Sequence, residues 1–364
     1  MKISAVSTGL LGVITVIMLG AVLKMAASIL LPLIIAIFLS FIIAPLVNML
    51  DRMHFPRVLA LILTLLVLFG VMFLIFLFLQ TSVNSFLKEY PKYAARYAEI
   101  SSQIEAMVLQ RFDISFDFST DINWQGALRD YLVRLSGSLI NFFSSLVLII
   151  IFLIFLLLEK PLFKSKLARA FDEETGRHIG RIIEHINQQV GRYINLKFFI
   201  SLATGLFVWF FLLIIGVDFP IVWGVLAFLL NFIPSIGSFV LVVITIIMGV
   251  IQFYPNMGKI IAVAATMIAT QVTIGNFLDP RLQGRRLNIS PLLILFSLIF
   301  WGWIWGVIGM FLSVPIMVVI QITCENIPAL RPIAVLMESG HVKPHESPIH
   351  ESLVKEETKK LERK

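Results

Sequence analysis

Residues 219–258 contain no charged side chain, yet Asn231, Pro234 and Gly237 interrupt the middle of that run. The stretch reads Trp223-Gly224-Val225-Leu226-Ala227-Phe228-Leu229-Leu230-Asn231-Phe232-Ile233-Pro234-Ser235-Ile236-Gly237-Ser238. Apolar sequence of this length is membrane-embedded. A straight helix over 221–251 would be about 46 Å long, against a hydrocarbon core of about 30 Å. Excess length and breakers together predict a helical hairpin or two half-helices. Non-helical backbone at that depth survives only beside protein or a water-lined cavity. Interrupted helices of this kind build the substrate sites of many transporters.

The remainder of the chain agrees with a membrane solvent. Hydrophobic residues make up 59%, charged residues 14%, and mean hydropathy is +0.95. These values exclude an ordinary soluble domain. The apolar runs are continuous rather than alternating, which argues against a β-barrel. The expected fold class is therefore all-α: a polytopic helical membrane protein with about six to eight spans. A net charge of +7 reads as cytoplasmic loop charge rather than a nucleic-acid surface. The single cysteine, Cys324, excludes an intramolecular disulfide and any thiolate-cluster metal site. No Walker A, HExxH or GxSxG pattern occurs, so neither an enzyme nor a cofactor is expected.

Along the chain, residues 1–80 read as N-terminal transmembrane helices, with spans near 3–23, 25–50 and 58–79. Residues 81–137 read as a small periplasmic segment. Ile100, Ile104, Met107 and Val108 recur in it at helical spacing, and residues 112–118 then alternate like a short strand or extended chain. A further span covers 138–158. Residues 159–197 are a basic, amphipathic cytoplasmic segment with an apolar stripe at Ile179, Ile182, Ile183, Ile186 and Val190. Residues 198–336 form the C-terminal transport core, beginning with a span at 198–215. Residues 337–364 read as a disordered cytoplasmic tail.

Charge parity sharpens this. With Arg52, Arg57 and 159–197 inside, 81–137 lies outside, and both termini are cytoplasmic. For Arg281, Arg285 and Arg286 also to lie inside, 219–258 must enter and leave on one side. The uncharged run 287–324 must do the same. Both runs are thus expected to be hairpins, whether re-entrant or fully crossing. Trp223-Gly224-Val225-Leu226 and Trp305-Gly306-Val307-Ile308 open them alike, as a repeat would.

No acidic, basic or histidine side chain falls centrally in a predicted span. Asp51, Glu159, Asp218, Asp279 and Glu325 all sit at span ends. The candidate substrate path is therefore neutral. Its floor is the break at Asn231, Pro234, Ser235, Gly237 and Ser238, expected to face a turn at Ser313–Pro315. Pro234 removes a backbone donor and Gly237 admits special conformations. Asn231 offers a donor and an acceptor together. Gln271 and Asn276 are polar too, and a bond between helices is their first explanation. Asp279 and Arg281 mark the cytoplasmic mouth, as a pair or a gate.

Several of these pieces resemble the AI-2E (autoinducer-2 exporter) family of bacterial inner-membrane proteins. They are Tyr193 with Lys197, Trp223-Gly224, Asn231-Phe232-Ile233-Pro234-Ser235-Ile236-Gly237, and Leu278-Asp279-Pro280-Arg281 with Gly284. Leu287, Ser290-Pro291, Gly306, Gly309 and Leu312 through Pro315 complete the likeness. It covers residues 1–336, with Ser238 a departure from the proline many members carry. The resemblance implies a homo-oligomer in the inner membrane that exports the sugar-like signal autoinducer-2. Other members are sodium(lithium)/proton antiporters, so that alternative stands, as does a non-transporting scaffold or regulator. The expected partners are a small polar solute and the lipid bilayer.

Overall fold

The computed structural model describes residues 5–53, 55–112, 137, 145–159, 162–283 and 289–339. Expectations for the alternating segment 113–118, for Arg285 and Arg286, and for the tail from 340 lie outside the described residues. The described chain is helical, with no strand. One isolated antiparallel bridge joins Ile289 to Glu338. The helices are α1 (Ala5–Met25), α2 (Ala27–Arg52), α3 (Arg57–Phe112), α4 (Ser145–Glu159), α5 (Phe163–Ala170) and α6 (Glu173–Ile215). Then come α7 (Pro220–Leu230), α8 (Ile236–Phe253), α9 (Met257–Thr270), a π-helix at Gln271–Leu278, α10 (Asp279–Gln283), α11 (Pro291–Asn326) and α12 (Arg331–Met337). Six helices among the described residues are long and apolar enough to cross a membrane. The protein is an all-α polytopic membrane protein, as its composition requires.

Helix α6 is the axis of the core. Its N-terminus is fastened by Asp172, whose carboxylate accepts from the Thr175 amide at 3.0 Å. Glu173 and Glu174 in the first turn complement the helix dipole. At the other end Gly216 is left-handed at φ 84°, and the Gly216 and Val217 amides both reach the Leu212 carbonyl. Between these caps the helix is continuous. The basic segment and the span at 198–215 are thus one rod, about 64 Å long. The apolar stripe continues past Val190 to bury Tyr193, Ile194, Lys197, Ser201, Thr204 and Val208 on one face.

The backbone hydrogen bond from Thr175 holds the Asp172 carboxyl below its ordinary value of 3.8. A lowered carboxylate stabilises the fold above the unfolded-state pKa and loses that contribution as pH falls through the folded value. Protection of the Thr175 amide against hydrogen exchange, taken relative to its intrinsic rate at each pH, is therefore expected to fall in wild type as the pH drops below 3.8. Asp172→Ala should already show the lower protection at neutral pH. Wild-type protection in that variant would mean that the cap does not hold the helix.

Both uncharged runs are hairpins. The first is α7–α8. Its α7 arm, about 16 Å long, reaches roughly halfway through a bilayer core. Both of its ends lie on one side, because the Gln252 amide accepts from the Asp218 amide and donates to the Gly216 carbonyl, each at 2.9 Å. The turn, Asn231 to Ser235, lies beside Ser201, about 21 Å along α6 from Ile215. Ser235, not Gly237, takes the positive φ there, at 59°. Gly237 is needed for a different reason: a Cβ on it would stand 1.9 Å from the Leu230 carbonyl oxygen.

The second hairpin bends at Gly306, where φ 64° and ψ −144° break α11. Its arms are antiparallel: the Ser297 hydroxyl donates to the Ser313 carbonyl at 3.0 Å. A Cβ on Gly309 would stand 1.9 Å from the Trp301 carbonyl oxygen. The Trp305 indole pins the bend to α1 by donating to the Leu23 carbonyl at 3.0 Å. The two Trp-Gly pairs are not equivalent, however. Gly306 is the bend itself, whereas Gly224 lies mid-arm, pressed against Gly205 and Trp209 of α6. Nor is Ser313–Pro315 a turn; it belongs to the returning arm, beyond the bend.

Candidate functional site

Below the turn of the first hairpin is a cavity of about 10 Å³, walled by α6, α7, α8, α9 and the first residue of the π-helix. Its polar lining is Thr204, Asn231, Ser238, Thr270 and Gln271, with no titratable side chain. The close approach of α6 and α7 that shapes it depends on Gly205, whose Cβ would fall 2.7 Å from the Gly224 carbonyl oxygen. Asn231 is buried, and its Nδ2 donates to the Ser201 hydroxyl at 3.0 Å. The hydroxyl protons of Thr204, Thr270 and Ser238 are spent on backbone carbonyls of Ile200, Thr266 and Ser235. Their lone pairs remain. The lining is consequently rich in acceptors, with the Gln271 amide as a donor, and it suits a ligand that donates from hydroxyls.

The π-helix starts at Gln271 and ends against Asp279. Helical segments of this type are rare and recur at functional sites. The Gln271 side chain folds back over Gly275, its Nε2 2.8 Å from where a Cβ would stand. Gln271, for which a bond between helices is the first explanation from sequence, lines the cavity.

Asp279 takes its counter-charge from α6. Lys197 Nζ lies 2.7 Å from Asp279 Oδ2, and the lysine is only 4% exposed. Arg281, the expected partner, stacks its guanidinium 3.6 Å above the Phe277 ring and stays exposed. Sequence reasoning placed Lys197 at the end of a charged segment and missed it as a buried group. The signal was present: Lys197 shares the stripe of Val190, Ser201, Thr204 and Val208, so the face that buries them buries it.

The expected path residues therefore divide. Pro234, Ser235 and Gly237 build the turn, and Asn231 and Ser238 reach the cavity. Ser313 and Pro315 are buried elsewhere, in the arm that packs Val314, Met317 and Val318 on Tyr193 and Ile194. The Ser313 hydroxyl is committed to the Met310 carbonyl at 2.7 Å. What joins the two hairpins is Phe232 stacked on Phe311, with ring centroids 5.6 Å apart.

Residues 13–329 match the sequence profile of the AI-2E family transporter. The chain belongs to the AI-2E transporter family. A relative in Borreliella burgdorferi, named "Putative transport protein", is 36% identical over 91% of this chain and 90% of its own length. The AI-2 transport protein TqsA of Escherichia coli K12 is 35% identical over 90% of this chain and 94% of its own. A Haemophilus influenzae relative, again named only as a transport protein, is 31% identical over 90% and 95%. Within this AI-2E family member, the motif residues Tyr193, Lys197, Asn231, Gly237, Asp279, Gly306 and Gly309 stand at the ion pair, the turn and the bend.

Proposed function

We propose that this AI-2E family member exports a small, uncharged, hydroxyl-rich solute, autoinducer-2 or a close chemical relative, across the bacterial inner membrane. The observation that carries the reading is the neutral, acceptor-rich cavity under a re-entrant turn. Its volume is about that of one water molecule, so the solute passes only when the first hairpin separates from α9 and the π-helix. The path runs from the outer ends of α7 and α8, past Asn231 and Ser238, to the Lys197–Asp279 pair at the cytoplasmic mouth. Both termini are cytoplasmic, 81–137 is periplasmic, and the chain works as a homo-oligomer. The name of the Escherichia coli relative supports the choice of solute.

One observation favours a second reading, sodium(lithium)/proton antiport. The Lys197–Asp279 pair places a carboxylate within the helical core, where a cation or proton can compete with the lysine. Export of autoinducer-2 from cells with matched surface levels separates the two. Asn231→Leu is expected to insert and assemble normally and to lose export. Wild-type export by that variant would move the solute site away from the turn. Sodium-driven proton movement in vesicles without autoinducer-2 transport would establish the antiporter.

A further inference from the structure

A second, larger cavity opens where α3 passes over the outer ends of the first hairpin. It measures about 500 Å³ and is lined by Lys92, Tyr93, Arg96, Glu99, Asp218 and Gln252, with Ala95, Ile251 and Phe253 completing the wall. That is the size of a small-molecule pocket. Its framework is built rather than accidental. The Tyr93 hydroxyl donates to Asp218 Oδ2 at 2.6 Å, and the Trp223 indole donates to the Asp218 carbonyl at 3.1 Å. The Arg96 guanidinium donates to Glu99 and to the Tyr254 carbonyl, fastening the loop between α8 and α9 to α3. Gln252 is spent on both sides of the Gly216–Asp218 loop.

Some groups on this frame are left to meet a ligand. Among the described residues, Oδ1 of Asp218 accepts no hydrogen bond. Lys92 is largely exposed, and its ammonium makes two long contacts, 3.5 Å to Glu89 and 5.5 Å to the centroid of the Tyr93 ring. Two cations, Lys92 and Arg96, face two carboxylates, Glu99 and Asp218, so the lining is neutral overall. An ion of either sign would meet a like charge. A neutral solute with several hydroxyls meets none: it donates to a carboxylate, accepts from an ammonium, and lays its apolar face on Ile251 and on the edge of the Phe253 ring. The face of that ring carries the Lys259 ammonium, 4.8 Å from the centroid. Bonds in which one partner is charged are the stronger kind.

We propose that this cavity is an outer vestibule, a second binding site for the exported solute. The inference rests on the proposed export of a hydroxyl-rich molecule. The vestibule receives the solute after it passes Asn231 and holds it until release. Lys92 and Asp218 are the groups that touch it. Because its frame is the same set of bonds that ties the ends of α7 and α8 together, the vestibule is attached to the hairpin that has to move.

Substrate protection tests this in the full chain, reconstituted in vesicles on a Cys324→Ser background. Ala95→Cys reports the vestibule and Ser238→Cys the inner cavity, each read as its rate of modification by a small thiol reagent. Autoinducer-2 at about ten times its dissociation constant is expected to slow modification of Ala95→Cys about tenfold. That protection should persist when Asn231→Leu is added and vanish with Lys92→Ala plus Asp218→Asn. Protection at Ser238→Cys alone would overturn the vestibule and leave the export reading intact. Loss of the Ala95→Cys protection with Asn231→Leu would show that the vestibule is no independent site. Protection at neither cysteine would sink both the solute assignment and the vestibule built on it.

Discussion

Lys197→Met is expected to be the most damaging charge change in the protein, lowering stability by about 3–5 kcal/mol and abolishing transport. The wild-type pair is short, and the lysine is almost wholly enclosed. Two ions taken out of water repay their desolvation only through each other. Removing one leaves the other charged and buried without that counter-charge. Asp279→Asn should fail in the same way from the opposite side. The double variant, Lys197→Met with Asp279→Asn, removes both charges and should recover most of the lost stability, since a neutral pair carries no desolvation debt. Transport should stay lost in it if the pair is the cytoplasmic gate. Arg281→Gln is the matched control: its guanidinium is exposed over Phe277, so its loss should shift melting little. Thermal unfolding in detergent, read beside vesicle transport, decides the matter. A wild-type melting temperature for Lys197→Met would show that the pair carries no fold stability.

Gly237→Ala and Gly309→Ala are expected to be the most disruptive single-methyl additions in the chain. At each position the new Cβ would lie 1.9 Å from a backbone carbonyl oxygen, of Leu230 and of Trp301 respectively. A side chain can rotate away from such a contact, but a carbonyl moves only if the hairpin arms part. Ordinary overpacking costs about 1–3 kcal/mol, and a clash with rigid backbone stands at or above the top of that range. The arms would separate at the one place where each hairpin is tightest. Gly70→Ala is the control, since its Cβ would meet nothing within 4 Å. Alanine is also the better helix former, by about 1 kcal/mol, so α3 should be unharmed or slightly more stable. Yield of folded protein and melting temperature measured together check the ranking. Gly309→Ala behaving like Gly70→Ala would mean that the second hairpin does not close as described.

These two predictions draw on different kinds of information. The hairpins were legible in the chain because their causes are local. An uncharged run too long for one bilayer crossing must turn, and it turns where an amide, a proline or a glycine weakens the helix. Asn231, Pro234 and Gly237 therefore mark the first turn in the sequence itself. The second run is legible by its length, but the position of its bend is not. Gly306 inside a Trp-Gly pair looked like the mid-arm Gly224, and Ser313–Pro315 looked like the turn. Proline is tolerated inside a membrane helix when neighbouring groups re-satisfy the freed carbonyl, so Pro315 continues the returning arm.

Membrane embedding, all-helical architecture, two hairpins and the neutral character of the inner site follow from the order of residues alone, because each depends on segment length, polarity and nearby breakers. Which groups meet across the fold does not. Lys197 and Asp279 stand 82 positions apart, and Asn231 reaches Ser201 across 30. Those pairings depend on how far α6 is rotated about its axis. Small residues such as Gly205 and Gly224 fix that rotation by letting backbones touch. The same packing sends the two hairpins to different neighbours of α6. It puts Asn231 and Ser238 on the cavity, and it sends the arm that carries Ser313 and Pro315 to Tyr193 and Ile194 through Val314, Met317 and Val318. A side chain's polarity is a property of its residue. Its partner is a property of helices packed against one another, and only the tertiary structure assigns it.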